Sequence, residues 1–431
     1  MKINSLFMNA GAIVVAACVL VLCAGSFAQT AADNVHPGTP SVSRPVLDRW
    51  SQAIEGALAG IDADAPAPAP AVGNGVTLKS GASGGRVDRL ANQLIARGML
   101  AADGYHGLFD AGLEAAVRAF QLASGINADG VAGEGTVESL DRSPAAAVAA
   151  LKSTLGAVRA LAVNAPREFF MINIPSQTAY LIKGDTVVMT MRVAVGRPSR
   201  PTPILNDQIT DVILNPTWTA PTTVLAQDKL PSLRRTGHPG IEGATVYLDQ
   251  QEVDPAVVDW SAVTPERVRI VQSPGDQNAL GRYKFNMTNG QSIYMHDTND
   301  HSVFARQGRA LSSGCVRLAE PRRLAEMLLG RDGWTPERIG VAVANERTQH
   351  IGLSHSLPVR IVYWQASVDD AGVVRIHKDI YGRNGQSSPV ASVPPSEPAK
   401  PGHHLERVAV GGARGIPISV NCNESCGQGL Y

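Results

Sequence analysis

Two side chains between residues 296 and 317 have the types and spacing for nucleophilic acyl transfer. In "ALSSGCVRLAE", residues 310–320, Cys315 stands between a glycine and a β-branched valine, after Ser312 and Ser313 and two residues before Arg317. Only a thiolate is a strong nucleophile, so a catalytic cysteine needs a proton acceptor within hydrogen-bond reach. His296 ends the apolar run "SIYMH" 19 residues earlier. A strand end is a rigid mount, and the return loop can bring the imidazole back beside the thiol. His301, in the polar "TNDHSVF", reads as a solvated loop histidine. Ser313 and Gly314 supply small side chains and permissive backbone, so N–H groups near Gly314 and Cys315 are candidates to face a developing oxyanion. Arg317 is placed either to bind a carboxylate or to hold the turn, and both readings stay open. The plain alternative is a small-residue turn with a structural cysteine. Metal binding is disfavoured, since neither His-x-x-x-His nor a paired cysteine spacing accompanies the motif. No cofactor is called for.

The chain around this motif has 431 residues, which predicts two to three domains. Lys plus Arg and Asp plus Glu each total 38, so no net charge favours nucleic acid as a partner. The N-terminus, "MKINSLFMNAGAIVVAACVLVLCAGSFAQT", reads as a signal peptide cleaved after Ala28, which predicts export to the periplasm or cell envelope. A membrane tether follows only if the apolar run Ala10–Ala24 stays uncleaved or Cys18 is lipidated. Cleavage removes Cys18 and Cys23 and leaves Cys315, Cys422 and Cys426. The last two stand close together in "NCNESCGQGLY", so the economical bridge is Cys422–Cys426. Cys315 is then expected to be a free thiol of low pKa.

Residues 29–77 are rich in Ala, Pro, Gly and Ser and predict a linker without a core. From residue 86 helical periods begin: Val87, Leu90 and Leu94 share a face, Asp110 can cap a helix carrying Leu113, Val117 and Phe120, and a third helix follows. Ser143-Pro144 starts a connecting helix over 143–163. At Arg167 the period switches to two, with a hairpin over Phe169–Val195 turning at Lys183-Gly184-Asp185. Residues 220–275 break the β pattern with prolines and Arg234-Arg235 and read as an inserted subdomain. Strands are expected at "GRYKFNM", "SIYMHD" and "PVRIVYWQASV", a helix near Leu324–Leu329, and a mobile low-complexity tail over 385–431. The fold class is multidomain α+β: a small helical bundle, then a β-rich domain with an inserted cap.

The segments "RVDRLANQLIARGML" and "AAVRAFQLASGINADGVAGEGTVESL" make residues 78–141 resemble the small peptidoglycan-binding domain joined to many cell-wall enzymes; "HGLFD" departs from its usual Asp-Gly-x-Phe-Gly. The segment "YMHDTNDHSVFARQGRALSSGCVRL" resembles the signature of the L,D-transpeptidases, the YkuD-type domain, and the likeness extends over most of residues 168–382. It looks nearest to large periplasmic members with a capping insertion. The resemblance implies Cys315 as nucleophile, His296 as its base, and Gly314, Arg317, Tyr283 and Trp218 near the substrate. It also implies that carbapenems acylate the cysteine. Many members have Ser-His-Gly-Cys, and Ser313 stands where their second histidine would be. Trp218 and Tyr283 read equally as core aromatics, and Arg234 or Arg235 equally as lid arginines with no ligand. The implied partners are peptidoglycan stem peptides and glycan. The implied reaction passes through a thioester, releases a terminal D-alanine and forms a 3→3 cross-link. The same acyl-enzyme can serve lipoprotein attachment, D-amino acid exchange or hydrolysis. A sortase would place Thr-Leu-x-Thr-Cys before the thiol and its arginine on a later strand, and both are missing. A non-enzymatic wall-binding protein requires Cys315 to be buried and inert.

Overall fold

Val46, Leu47, Trp50 and Ile54 recur at helical spacing, and in the computed structural model they form the buried stripe of helix α1 (Pro45–Ala59). The structure describes residues 45–383 apart from 65–68 and 125. The signal segment, the tail beyond 383 and the expected Cys422–Cys426 bridge lie outside the described residues. Helix α1 corrects the expectation of a coreless linker over 29–77. The surrounding Ala and Pro set the average composition, but one amphipathic stretch within it has an apolar stripe wide enough to pack. That stripe meets Leu151, Val158 and Leu161 of helix α5 (Pro144–Asn164), and Trp50 meets Tyr180 and Trp364 edge-on at centroid distances of 5.6 and 6.5 Å. By length and composition α5 is apolar enough to cross a membrane, but here its stripe belongs to this cluster. Ser143 caps it, its Oγ accepting the Ala146 N–H at 3.2 Å.

Between α1 and α5 lies the helical bundle: α2 (Gly85–Ile95), α3 (Ala111–Ala123) and α4 (Glu134–Asp141). Its core joins Val87, Leu90 and Leu94 to Leu113, Val117 and Phe120, as the periodicity predicts. Asp110 caps α3 by accepting the Leu113 N–H at 2.9 Å. Phe109 of "HGLFD" is fully buried, so the altered turn keeps its aromatic anchor. Residues Val72 and Gly73 also belong to this unit, because the Asp141 carboxylate accepts both their N–H groups.

The β-rich domain opens with β1 (Glu168–Asn173), β2 (Thr178–Lys183) and β3 (Thr186–Gly196). The expected hairpin is therefore a three-strand meander, with an additional reversal between Asn173 and Thr178. β4 (Leu205–Leu214) precedes the inserted subdomain, whose strands are β5 (Trp218–Thr219), β6 (Ala244–Leu248), β7 (Gln251–Val253) and β8 (Val268–Gln272). These form their own sheet in the order β5-β8-β6-β7. Its helical side runs from Thr222–Val224 (α6) through a π-helical turn, Leu225–Lys229, into Leu230–Thr236 (α7). Trp218, Leu225, Leu230, Leu233, Val246, Trp260 and Ile270 give the insertion a core of its own.

The chain then returns with β9 (Tyr283–Met287), β10 (Met295–His296), β11 (Ala310–Ser312), β12 (Val316–Leu318) and the long β13 (Gln349–Val362), with α8 (Pro321–Leu329) and α9 (Pro336–Ala344) between the last two. A small ribbon, β14 (Ala366–Val368) with β15 (Val374–Ile376), closes the described chain. The main sheet runs β11-β3-β12-β10-β9-β4-β13-β1-β2, and β2 also pairs with β3, so the sheet closes on itself. The long β3 serves three partners in turn: Thr186–Arg192 pairs with β2, Val193 and Ala194 with β12, and Val195 and Gly196 with β11. Inside the closure lie Phe170, Ile172, Val193, Val212, Phe285, Met295 and Val316, joined by Leu324 and Leu328 of α8.

Candidate active site

Strand alternation sorts the residues of the central strands onto two faces. β10 lies between β9 and β12, pairing Met295 with Phe285 and Val316, and His296 with Lys284 and Arg317. Met295, Phe285 and Val316 are fully buried in the core. The opposite face therefore carries Lys284, His296 and Arg317, and alternation adds Tyr294 and Cys315 to them. A parallel pairing of β10 with β12 thus brings the predicted base and the predicted nucleophile onto neighbouring strands of one face.

His296 is buried, and its Nδ1 donates to the backbone oxygen of Asp297 at 2.6 Å. A carbonyl only accepts, so the proton sits on Nδ1 and Nε2 keeps its lone pair. Burial first, then the Arg317 and Lys284 cations, push the imidazole pKa down to about 3, so the ring is neutral at ordinary pH. The Asp297 carboxylate accepts the N–H groups of Arg282 and Thr298, each at 2.8 Å, and pairs with His301 Nε2 at 3.0 Å. His301 therefore serves behind the base, as a partner of the residue that orients it. Gly281, at φ +61°, is required here: a Cβ would stand 2.4 Å from the Asp297 carboxyl.

Cys315 is partly exposed and is not in a disulfide. The Cys315 sulfur donates to Ser292 O at 3.8 Å. Lys284 Nζ stands 4.3 Å from the Tyr294 ring, and the Tyr294 and His296 rings are 5.7 Å apart. Burial pushes the thiol above its ordinary value, although Tyr294, Lys284 and Arg317 all pull it down. The expectation of a low-pKa thiol is corrected accordingly. The free protein therefore holds a neutral thiol and a neutral imidazole on one face of the sheet.

The turn before the thiol is fixed from below. Gly314 has φ +113°, and a Cβ there would stand 3.3 Å from Ile293 Cδ1. Its N–H donates to Ser312 Oγ at 3.2 Å, and its carbonyl accepts from Thr202 Oγ at 2.7 Å. The Gly314 N–H, an expected oxyanion donor, is thus engaged within the turn. Ser313 is exposed, and its Oγ accepts from Arg200 at 3.0 Å.

Other expected substrate residues are placed elsewhere. Tyr283 alternates onto the core face of β9, and Trp218 lies in the core of the insertion. Arg234 donates to the backbone oxygens of Trp260 and Val263 within the insertion, while Arg235 is exposed. Arg317 stays at the site, with its buried Nε lacking a hydrogen-bond partner. Two residues were missed. Tyr294 and Lys284 are one alternation step from the residues chosen, and the period-two pattern of "SIYMH" and "GRYKF" contains the signal. Tyr294→Phe, which removes a phenol that draws the thiol pKa down, is expected to slow the proposed acylation about tenfold, the scale of one hydrogen bond to a charged acceptor. A mass-resolved time course of acylation checks it, and an unchanged rate removes the phenol from the chemistry.

Comparison with known proteins places two regions of the chain in known families. Residues 167–351 match the YkuD family, described as "L,D-transpeptidase catalytic domain", and residues 83–140 match a family described as "Putative peptidoglycan binding domain". A Haemophilus influenzae protein named "Putative L,D-transpeptidase" is 37% identical over 220 residues, covering 50% of this chain and 44% of the relative. The match thus spans less than half of that relative's length. Among solved structures, L,D-transpeptidase 3 from Mycobacterium tuberculosis in complex with a faropenem-derived adduct is 13% identical over 46% of this chain and 60% of its own, with a TM-score of 0.23. An L,D-transpeptidase from Stackebrandtia nassauensis is 13% identical over 68% of this chain and 96% of its own, with a TM-score of 0.21. On the family matches, the chain carries a peptidoglycan-binding domain followed by a YkuD-type L,D-transpeptidase catalytic domain.

Proposed function

We propose that this protein is exported and forms 3→3 cross-links in peptidoglycan through a thioester on Cys315. The observation that carries the reading is the pairing of β10 with β12, which sets a neutral, carbonyl-anchored His296 on the same face as the thiol. His296 Nε2 takes the thiol proton as the sulfur attacks the carbonyl of the third residue of a donor stem peptide. The carbon–nitrogen bond then breaks, and the imidazolium returns its proton to the departing D-alanine amine. The side-chain amine of a neighbouring stem adds to the thioester, the carbon–sulfur bond breaks, and the thiol is restored. Lys284 and Arg317 supply positive charge beside the sulfur, where anionic character develops on attack. The helical bundle is assigned to holding the enzyme on the wall.

The test is incubation of the full chain with disaccharide-tetrapeptide fragments, followed by mass analysis. A dimer lacking one D-alanine is the expected product. Only a hydrolysed tripeptide, or only an exchanged terminal D-amino acid, would replace cross-linking with another use of the acyl-enzyme.

A further inference from the structure

The loop after β3 connects two parts of the molecule that the sequence separates widely. Arg200 donates from Nη1 to Ser313 Oγ at 3.0 Å, two residues before the nucleophile. The same guanidinium grips Asp228 through Nη1 at 2.7 Å and Nη2 at 2.9 Å, and Gln227 Oε1 through Nε at 3.0 Å and Nη2 at 2.7 Å. Arg197 adds a longer contact to Asp228 at 3.4 Å. Asp228 and Gln227 both lie in the π-helical turn Leu225–Lys229 of the insertion. The Arg200 side chain is only 9% exposed, whereas that of Asp228 is 34% exposed. Two residues on, Thr202 Oγ donates to Gly314 O, so the loop is seated under the nucleophile turn at a second point. The Arg200 and Arg197 cations hold the Asp228 carboxyl below the ordinary carboxylate range against the opposing effect of burial, so it is ionised and the pair is charge-assisted at neutral pH.

A π-helical turn is uncommon, and such turns are frequent at functional sites. Here the irregular turn presents two consecutive side chains to one planar fork. We infer that Arg200 is a positioning residue that couples the capping insertion to the Cys315 turn, and that its grip on Asp228 sets whether the acyl-enzyme is resolved by an amine or by water. The inference rests on the acyl-transfer reading above. A fork held on both sides fixes the insertion relative to the thioester. A loosened insertion admits water, which adds to the thioester carbonyl as the carbon–sulfur bond breaks, releasing a tripeptide and restoring the thiol.

Two variants separate this role from a general structural one. Asp228→Asn keeps the shape and removes the charge, and Arg200→Lys keeps the charge and removes the fork. Each is assayed as the full chain with disaccharide-tetrapeptide, reading dimer, hydrolysed tripeptide and acylation rate together. In both variants the ratio of tripeptide to dimer is expected to rise by about threefold or more, whatever the acylation rate, because that ratio is set only after the thioester has formed. A wild-type ratio in both variants overturns the inference. So does a fall of both products in constant proportion, which is the mark of a merely structural contact. A wild-type protein that yields neither product defeats the proposed function itself, and this inference with it.

Discussion

Cys315→Ala is expected to yield a folded protein that forms no acyl-enzyme. The fold should survive because the turn is not held by the sulfur. Ser312 Oγ donates to the Cys315 carbonyl and accepts from the Gly314 N–H, and Thr202 anchors the Gly314 carbonyl, all without the thiol. Removing the one small sulfur from such a turn is expected to cost about 1 kcal/mol, the centre of the range for single substitutions. The neighbouring hydroxyl of Ser313 offers no substitute, since its oxygen is held by a fixed arginine. Intact-mass measurement after incubation with a carbapenem is expected to show one adduct on the wild-type chain, mapped to Cys315, and none on the variant. An adduct that persists in Cys315→Ala, or that maps to Cys422 or Cys426, would return "SSGCVR" to a structural role. The raised thiol adds a further outcome. Labelling of Cys315 by a thiol reagent in the free protein should be slow at mildly acidic pH and rise as the pH passes the ordinary thiol range.

The proposed nucleophile and base stood out as candidates in the sequence because both depend on local features: a small-residue turn around a cysteine, and a histidine at the end of an apolar strand. The insertion was legible as a break in the period-two pattern. What remained hidden depends on which face a residue takes and on what crosses the chain. Tyr283 and Lys284 are adjacent, and only the pairing of His296 with Lys284 shows that the lysine faces the site and the tyrosine the core. Arg200 and Asp228 are ordinary charged residues in sequence, and nothing local ties them to Ser313 more than eighty residues later. Helix α1 was obscured for a different reason: its stripe of Val46, Leu47, Trp50 and Ile54 is regular, but an average over an Ala- and Pro-rich region dilutes it. The thiol pKa failed on magnitude. Donors and cations near the sulfur were foreseeable in kind, whereas the burial that outweighs them is a property of the packed site.

Replacing the proposed base, His296→Ala, is expected to reduce turnover by about a hundredfold or more, the lower range for a positioned general base. In the proposed mechanism the burden on this residue is large, because burial keeps the thiol protonated and its proton must be removed as the sulfur attacks. The Asp297 carbonyl fixes the ring with Nε2 as acceptor, and no other histidine has such an anchor beside Cys315 among the described residues. His301→Ala is the matched control. It removes one partner of the Asp297 carboxylate, but the N–H groups of Arg282 and Thr298 still hold that residue, so the loss should be small beside that of the base. The same histidine sets a pH dependence of stability whose sign follows from its depressed pKa. The unfolded chain binds a proton near pH 6.5, whereas the folded chain resists it down to about 3. Stability therefore falls as the pH drops from about 6.5 towards 3, with a slope approaching 1.4 kcal/mol per pH unit for one such group. His296→Gln, which cannot titrate, should flatten that slope in acid unfolding curves while also losing turnover. A variant that keeps near wild-type turnover would remove His296 as the base, and an acid slope identical to wild type would show that the ring is not held neutral in the folded protein.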